Sequence, residues 1–141
     1  MAFQEKSAWV MLLALLVSAL FYVSIVAAMS EGLGHLASPG LSTLVGYTIV
    51  LVAICAIGHI VIAIFAVKDA DAPLDEREKI IVQRAAHLSS YVLGAGVIMA
   101  LILFLFFKNG NLLFYAVFMS LILAQIVEYT LHIFFYRSTF Y

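Results

Sequence analysis

The sequence predicts an all-α integral membrane protein, a four-helix bundle with both termini in the cytoplasm and a third helix that extends into the cytoplasm. Three observations lead there. Apolar residues make up 66% of the 141 positions and charged residues 11%, more apolar surface than a soluble fold can hide. The apolar residues fall into four runs, each near the ~20 residues that a helix needs to cross ~30 Å of hydrocarbon. Six of the seven basic residues, Lys6, Lys68, Arg77, Lys79, Arg84 and Arg137, fall at one set of run ends, and Lys108 alone falls at the other. Basic residues are retained on the cytoplasmic face, which sets the orientation.

The first run, at about 8–29, follows Glu5 and Lys6. It exceeds the ~7–15 residues of a signal-peptide core, so it is expected to persist as a helix. A polar segment from Ser30 to Gly40 leads to the second run, about 41–67. A charged segment, about 68–85, precedes the third run at about 86–107, and the turn Lys108-Asn109-Gly110-Asn111 leads to the fourth at about 112–136. Connections this short predict helical hairpins within one domain, 1–141. Trp9, Tyr22, Tyr47, Tyr115 and Tyr136 stand near run ends, where amphipathic rings anchor at headgroups.

The charged segment carries a helix start. Asp71 is placed to cap, Pro73 is tolerated in a first turn, and Asp75, Glu76 and Glu78 favour the positive end of the helix dipole. Asp75 and Lys79 stand four apart in the favourable order. A helix from about 74 to 107 would be roughly 50 Å long and leave two or three turns outside the bilayer. Those turns offer Asp75, Glu76, Arg77, Glu78 and Lys79 to a cytoplasmic partner; the plainer reading is a solvated helix end.

Several functions are excluded. A formal charge of −1 without any basic run gives no nucleic-acid surface. The single cysteine, Cys55, permits no internal disulfide. There is no Gly-rich phosphate loop, nucleophile elbow or Cys-x-x-Cys, and Ser89 and Ser90 beside His87 do not form a triad. Soluble-enzyme chemistry thus finds no support and no catalytic residue is assigned, while enzymatic activity of another kind stays open. Internal repeats are absent.

Polar side chains inside the runs need a reason, because ionisable groups in lipid are costly. On the fourth run Gln125, Glu128, His132 and Tyr136 follow at three, four and four residues, a stripe expected to face away from lipid. The second run holds Cys55 and His59, and the third Arg84, His87 and Tyr91. The first holds only Ser18, Tyr22 and Ser24. Counting inward from the cytoplasmic ends puts His59 and Glu128 roughly 12 Å deep and His87 and His132 roughly 5 Å deep. A cluster of His59, His87, Glu128 and His132 from three helices is then geometrically feasible.

Imidazole and carboxylate donors suit a transition metal, with Cys55 a softer ligand one turn deeper. Two histidines would also suffice for haem, His59 with His87 or His132. Against a metal stand a single Glu-x-x-x-His and the lack of His-Glu-x-x-His. The same groups serve equally as hydrogen-bonded fasteners between helices. A third reading makes Glu128 the centre of proton or cation movement, which in so small a chain calls for a homo-oligomer. His35, in the outer loop among glycines, reads as surface.

Phe3-Gln4-Glu5-Lys6 with Trp9, the run Asp75-Glu76-Arg77-Glu78 before the third span, and the closing Tyr136-Arg137 together resemble small prokaryotic four-span membrane proteins classed as a domain of unknown function. The resemblance implies a prokaryotic cytoplasmic membrane and the same four-span layout, and it brings no catalytic residue. Taken together, the expected role is an accessory, regulatory or interaction subunit, bounded by membrane lipid and assembled with itself or within a larger membrane complex.

Overall fold

Backbone groups that enter hydrocarbon must bond within their own segment, so long apolar runs fold as α-helices. A computed structural model of the chain describes residues 3–65 and 75–138, and among these there is no strand. The helices are α1, Phe3–Leu33; α2, Leu41–Phe65; α3, Glu76–Phe107; and α4, Gly110–Arg137. All four are long and apolar enough to cross a membrane. The expected contributions of Lys68, Asp71 and Pro73 lie outside the described residues. Helices α1 and α3 run well past their apolar cores, because the bilayer sets the length of the apolar stretch and not the point where the helix ends.

Those ends are set by local hydrogen bonding. Asp75 is the residue that caps α3, rather than part of its first turn: its carboxylate accepts the Glu76 N–H at 2.7 Å, and Glu78 accepts the Asp75 N–H at 3.1 Å. This reciprocal box satisfies donors that the first turn leaves open. At the other end Lys108 adopts a left-handed conformation (φ 51°), and its N–H bonds the Phe104 carbonyl. Asn109 follows at once as the cap of α4, accepting from the N–H groups of Asn111 and Leu112. Between α1 and α2 the Ser30 hydroxyl accepts the Ala37 N–H, and Tyr115 of α4 donates to the Ala37 carbonyl at 3.0 Å. The loop between α1 and α2 is thereby tied to α4, while His35 stays exposed.

Packing is uneven. α1 packs on α2 and on α4, and α3 packs on α4, whereas α2 and α3 form no close seam among the described residues. The neighbour order is therefore α2, α1, α4, α3. Of the most apolar stretch of α1, 33% is buried, against 6% in α2 and in α3. The helix whose sequence looks most like plain hydrocarbon is thus the central one, with Ala8, Ala14, Leu15, Ser18, Ala19 and Tyr22 turned inward.

Two glycines mark where helices come nearest. A Cβ at Gly58 of α2 would fall 2.4 Å from a methyl of Val10 in α1, and one at Gly96 of α3 would fall 2.6 Å from the Ser120 Cβ in α4. Such small residues let membrane helices gain van der Waals contact where no hydrophobic force drives them together. Toward the Lys108 end an aromatic cluster closes the bundle. Phe118 sits 4.8 Å from Tyr22 and 5.2 Å from Tyr47, ring centre to ring centre, with Tyr115 beside them. Tyr22 is only 2% exposed. It and Tyr47 are core residues and not headgroup anchors, because their stripe faces α4 instead of lipid.

Gly96→Ala is expected to destabilise the protein by about 1–3 kcal/mol, read as unfolding in mild detergent, and adding Ser120→Gly should restore most of the loss. The clash involves a Cβ, which no change of rotamer relieves.

Candidate functional site

Polar side chains converge around one cavity, but they come from α1, α2 and α4 rather than from the expected α2, α3 and α4. The cavity's volume is about 380 Å³. α1 contributes Gln4, Ser7 and Met11, α2 contributes His59, α3 contributes Val82, and α4 contributes Glu128, Tyr129, His132 and Tyr136. Gln4, Ser7 and Met11 follow at three and four residues, one face of a helix that begins at Phe3. Placing the start of the first run at residue 8 hid that face, and α1 is not the unadorned span expected from its Ser18, Tyr22 and Ser24.

Each predicted residue has a distinct place. The His59 Nδ1 lies 2.8 Å from the Cys55 carbonyl, which can only accept, so Nδ1 carries the proton. In the neutral ring Nε2 then accepts from the Ser7 hydroxyl at 2.9 Å. Both nitrogens are engaged, and His59 fastens α2 to α1. Cys55 lies half-buried one turn deeper, its Sγ 3.5 Å from the Met11 sulfur. It packs on α1 and does not line the cavity.

Glu128 and His132 share one face of α4 as expected, one turn apart. Glu128 is met by the Ser89 hydroxyl of α3 at 3.2 Å, and the same hydroxyl lies 3.0 Å from the Ala86 carbonyl. One hydroxyl proton cannot fully serve two acceptors. His132 is 9% exposed, its ring edge-on to Tyr129 at 5.5 Å, and among the described residues its Nε2 has no hydrogen-bond partner. The Tyr136 hydroxyl is likewise buried and unpartnered.

Two predicted members lie elsewhere. His87 does not join the cluster: Ala85 and Ser89 mark the buried face of α3, and two residues of helix rotate His87 about 200° from Ala85. It is exposed and bonds Tyr91 of its own helix at 3.2 Å, and it lies with Arg84 in an outer groove between α3 and α4. Gln125 is exposed as well and lines no part of the cavity, although it was expected on the Glu128 stripe. It stands within about 20° of His132 around the helix but roughly 10 Å further along the axis, deeper than Glu128 and past the end of the cavity. Among the described residues no three His, Cys, Asp or Glu side chains are arranged to hold a metal ion. The four-residue metal cluster is therefore not assembled, and the haem pairs through His59 would need its ring released from Ser7 and Cys55.

The cavity has a mouth and a floor. Beside Gln4, Glu5 is buried and its carboxylate accepts from the Arg137 Nε at 2.9 Å. The Arg137 guanidinium in turn lies 5.6 Å from the centre of the Trp9 ring. This joins the start of α1 to the end of α4 at the rim. Beyond Met11 and Glu128 the interior is filled by Ala14, Leu15 and Ser18, whose hydroxyl is spent on the Ala14 and Leu15 carbonyls. The aromatic cluster follows. Ser7, Ser89 and Tyr129 were not singled out as site residues from the sequence; only the spacing of Gln4, Ser7 and Met11 could have signalled the α1 contribution.

No family model matches this chain, and comparison with curated proteins and with solved structures likewise finds no match.

Arg137→Gln leaves the buried Glu5 carboxylate without its partner and should cost about 1–2 kcal/mol, the exposure of the guanidinium keeping the figure low. Glu5→Gln in the same background should recover part of that loss. Unfolding in mild detergent, run as a double-mutant cycle, checks both values, and strict additivity would mean that the two residues are not coupled.

Proposed function

We propose that this chain is a small accessory or regulatory membrane protein whose working part is the one-sided polar cavity, with both termini on the cytoplasmic side of a prokaryotic cytoplasmic membrane. The observation that carries this reading is a pair of buried atoms with no partner among the described residues, His132 Nε2 and Tyr136 Oη, in the same cavity as Glu128. Buried polar groups are nearly always satisfied. Each one left unmet costs about 1–3 kcal/mol, a cost recovered when a hydrogen-bonding ligand enters. The orientation is supported by Lys6, Arg77, Lys79, Arg84 and Arg137 at the cavity end and Lys108 at the other.

A binding role is favoured over conduction by the filled interior beyond Glu128. The three small or apolar residues there and the aromatic cluster leave no polar path onward within one chain. A second reading, proton or cation uptake at Glu128, is favoured by the Ser89 hydroxyl poised between Glu128 and the Ala86 carbonyl. It treats the same cavity as an antechamber to the carboxylate.

Labelling tests the reading directly. In a Cys55→Ala background, Ser7→Cys in oriented vesicles should react with a membrane-impermeant maleimide from the cytoplasmic face, while Ser18→Cys should react from neither. Reaction of Ser7→Cys from the opposite face would overturn the orientation, and no reaction from either would overturn the open cavity. Tyr136→Phe removes a buried hydroxyl that no described group meets, so stability should rise by about 1 kcal/mol or more, read as unfolding in mild detergent. For the second reading, proton flux into liposomes should fall on Glu128→Gln; a parent without flux removes it.

A further inference from the structure

We propose that the outer groove between the first turns of α3 and the last turns of α4 binds an anionic phospholipid. The groove is about 630 Å³ in volume and is lined by Ile80, Gln83, Arg84, His87, Leu88 and Phe135. It lies away from the polar cavity, on the opposite side of α3 from Ala85 and Ser89. Ile80, Leu88 and Phe135 give it an apolar wall suited to an acyl chain. Gln83, Arg84 and His87 bring hydrogen-bond donors, and among the described residues no carboxylate lines it.

The donors suit a phosphodiester. Arg84 is exposed, makes no ion pair among the described residues, and offers a planar fork that matches phosphate oxygens. Tyr91 holds the His87 ring at 3.2 Å through Nε2, with the rings edge-on at 5.0 Å. When the Tyr91 hydroxyl donates, the neutral imidazole carries its proton on Nδ1 and becomes a second donor. The nearest acids on α3, Glu78 and Glu76, stand roughly 9 and 12 Å further out along the axis from Arg84.

Depth decides between a lipid and a free anion. Phe135 is two residues inside Arg137, the last residue of α4, so the groove begins roughly 3 Å within the helix end. An interfacial donor set above an apolar wall on a membrane-crossing helix pair meets a headgroup and its chain together. Basic pockets between membrane helices hold anionic headgroups in this way. A zwitterionic choline lipid would bring its own cation beside Arg84.

The test uses the intact protein in mild detergent with equal amounts of phosphatidylglycerol and phosphatidylcholine of matched chains, read by native mass spectrometry. Phosphatidylglycerol should be retained preferentially, and Arg84→Gln should lower that preference about five-fold. Leu88→Trp fills the groove while keeping every charge, and should also abolish the preference. Lys108→Gln, at the far end, should leave it intact. Excess soluble glycerol phosphate should not displace the lipid. No preference in the parent, an unchanged preference in Arg84→Gln or Leu88→Trp, or displacement by glycerol phosphate would each overturn the proposal.

Discussion

The seams that α1 makes with α2 and α4 are the contacts on which the rest of the arrangement depends. Ala8, Ala14, Ser18 and Ala19 present almost no side-chain bulk, so α1 lies close to its neighbours over much of its length. Gly58 answers Val10 on the α2 side. Because the two hairpins meet through α1 and α4, α2 and α3 are left without a seam of their own. The polar cavity occupies the space between these four helices, with His59 and Val82 on its two unjoined sides. A tighter, symmetric bundle would have no room for it.

Within that space the polar residues do two different kinds of work. His59 with Ser7, and Glu5 with Arg137, are complete pairs that join α1 to α2 and α1 to α4. Both ring nitrogens of His59 are engaged and the buried Glu5 carboxylate has its cation, as befits interhelical fasteners. His132 and Tyr136 differ, since each keeps a buried polar atom that no described residue answers. Glu128 stands between the two groups, touched by a hydroxyl that has another acceptor in reach. A chain can thus use the same residue types as glue on one wall of a cavity and as open valence on the other.

Much of the fold was legible because the bilayer imposes it. Hydrocarbon thickness dictates apolar length, so four spans were countable from composition alone, and the i, i+4 spacing of Glu128, His132 and Tyr136 placed them on one face. Helix ends were less legible: the cap of α3 is a matter of whether Asp71 or Asp75 finds the right backbone geometry, which hydropathy does not encode. Helix neighbours were illegible for a related reason. Lipid-facing and protein-facing apolar residues look alike, so neither the central place of α1, the outward turn of His87 nor the exposure of Gln125 could be read. Tyr22 and Tyr47 misled for the same cause, because amphipathic rings suit both a headgroup layer and a protein core.

The link between Glu5 and Arg137 spans 132 positions of sequence, and it has a consequence for how the molecule comes together. Each hairpin can fold from its own short connection, yet neither contains the cavity, whose walls come from all four helices. While only the first hairpin is in the membrane, the polar atoms of Gln4 and Glu5 have no partner from α4. Arg137, Glu128 and His132 all come from the second hairpin. The cavity is therefore a property of the assembled chain alone, and its rim records that assembly is finished.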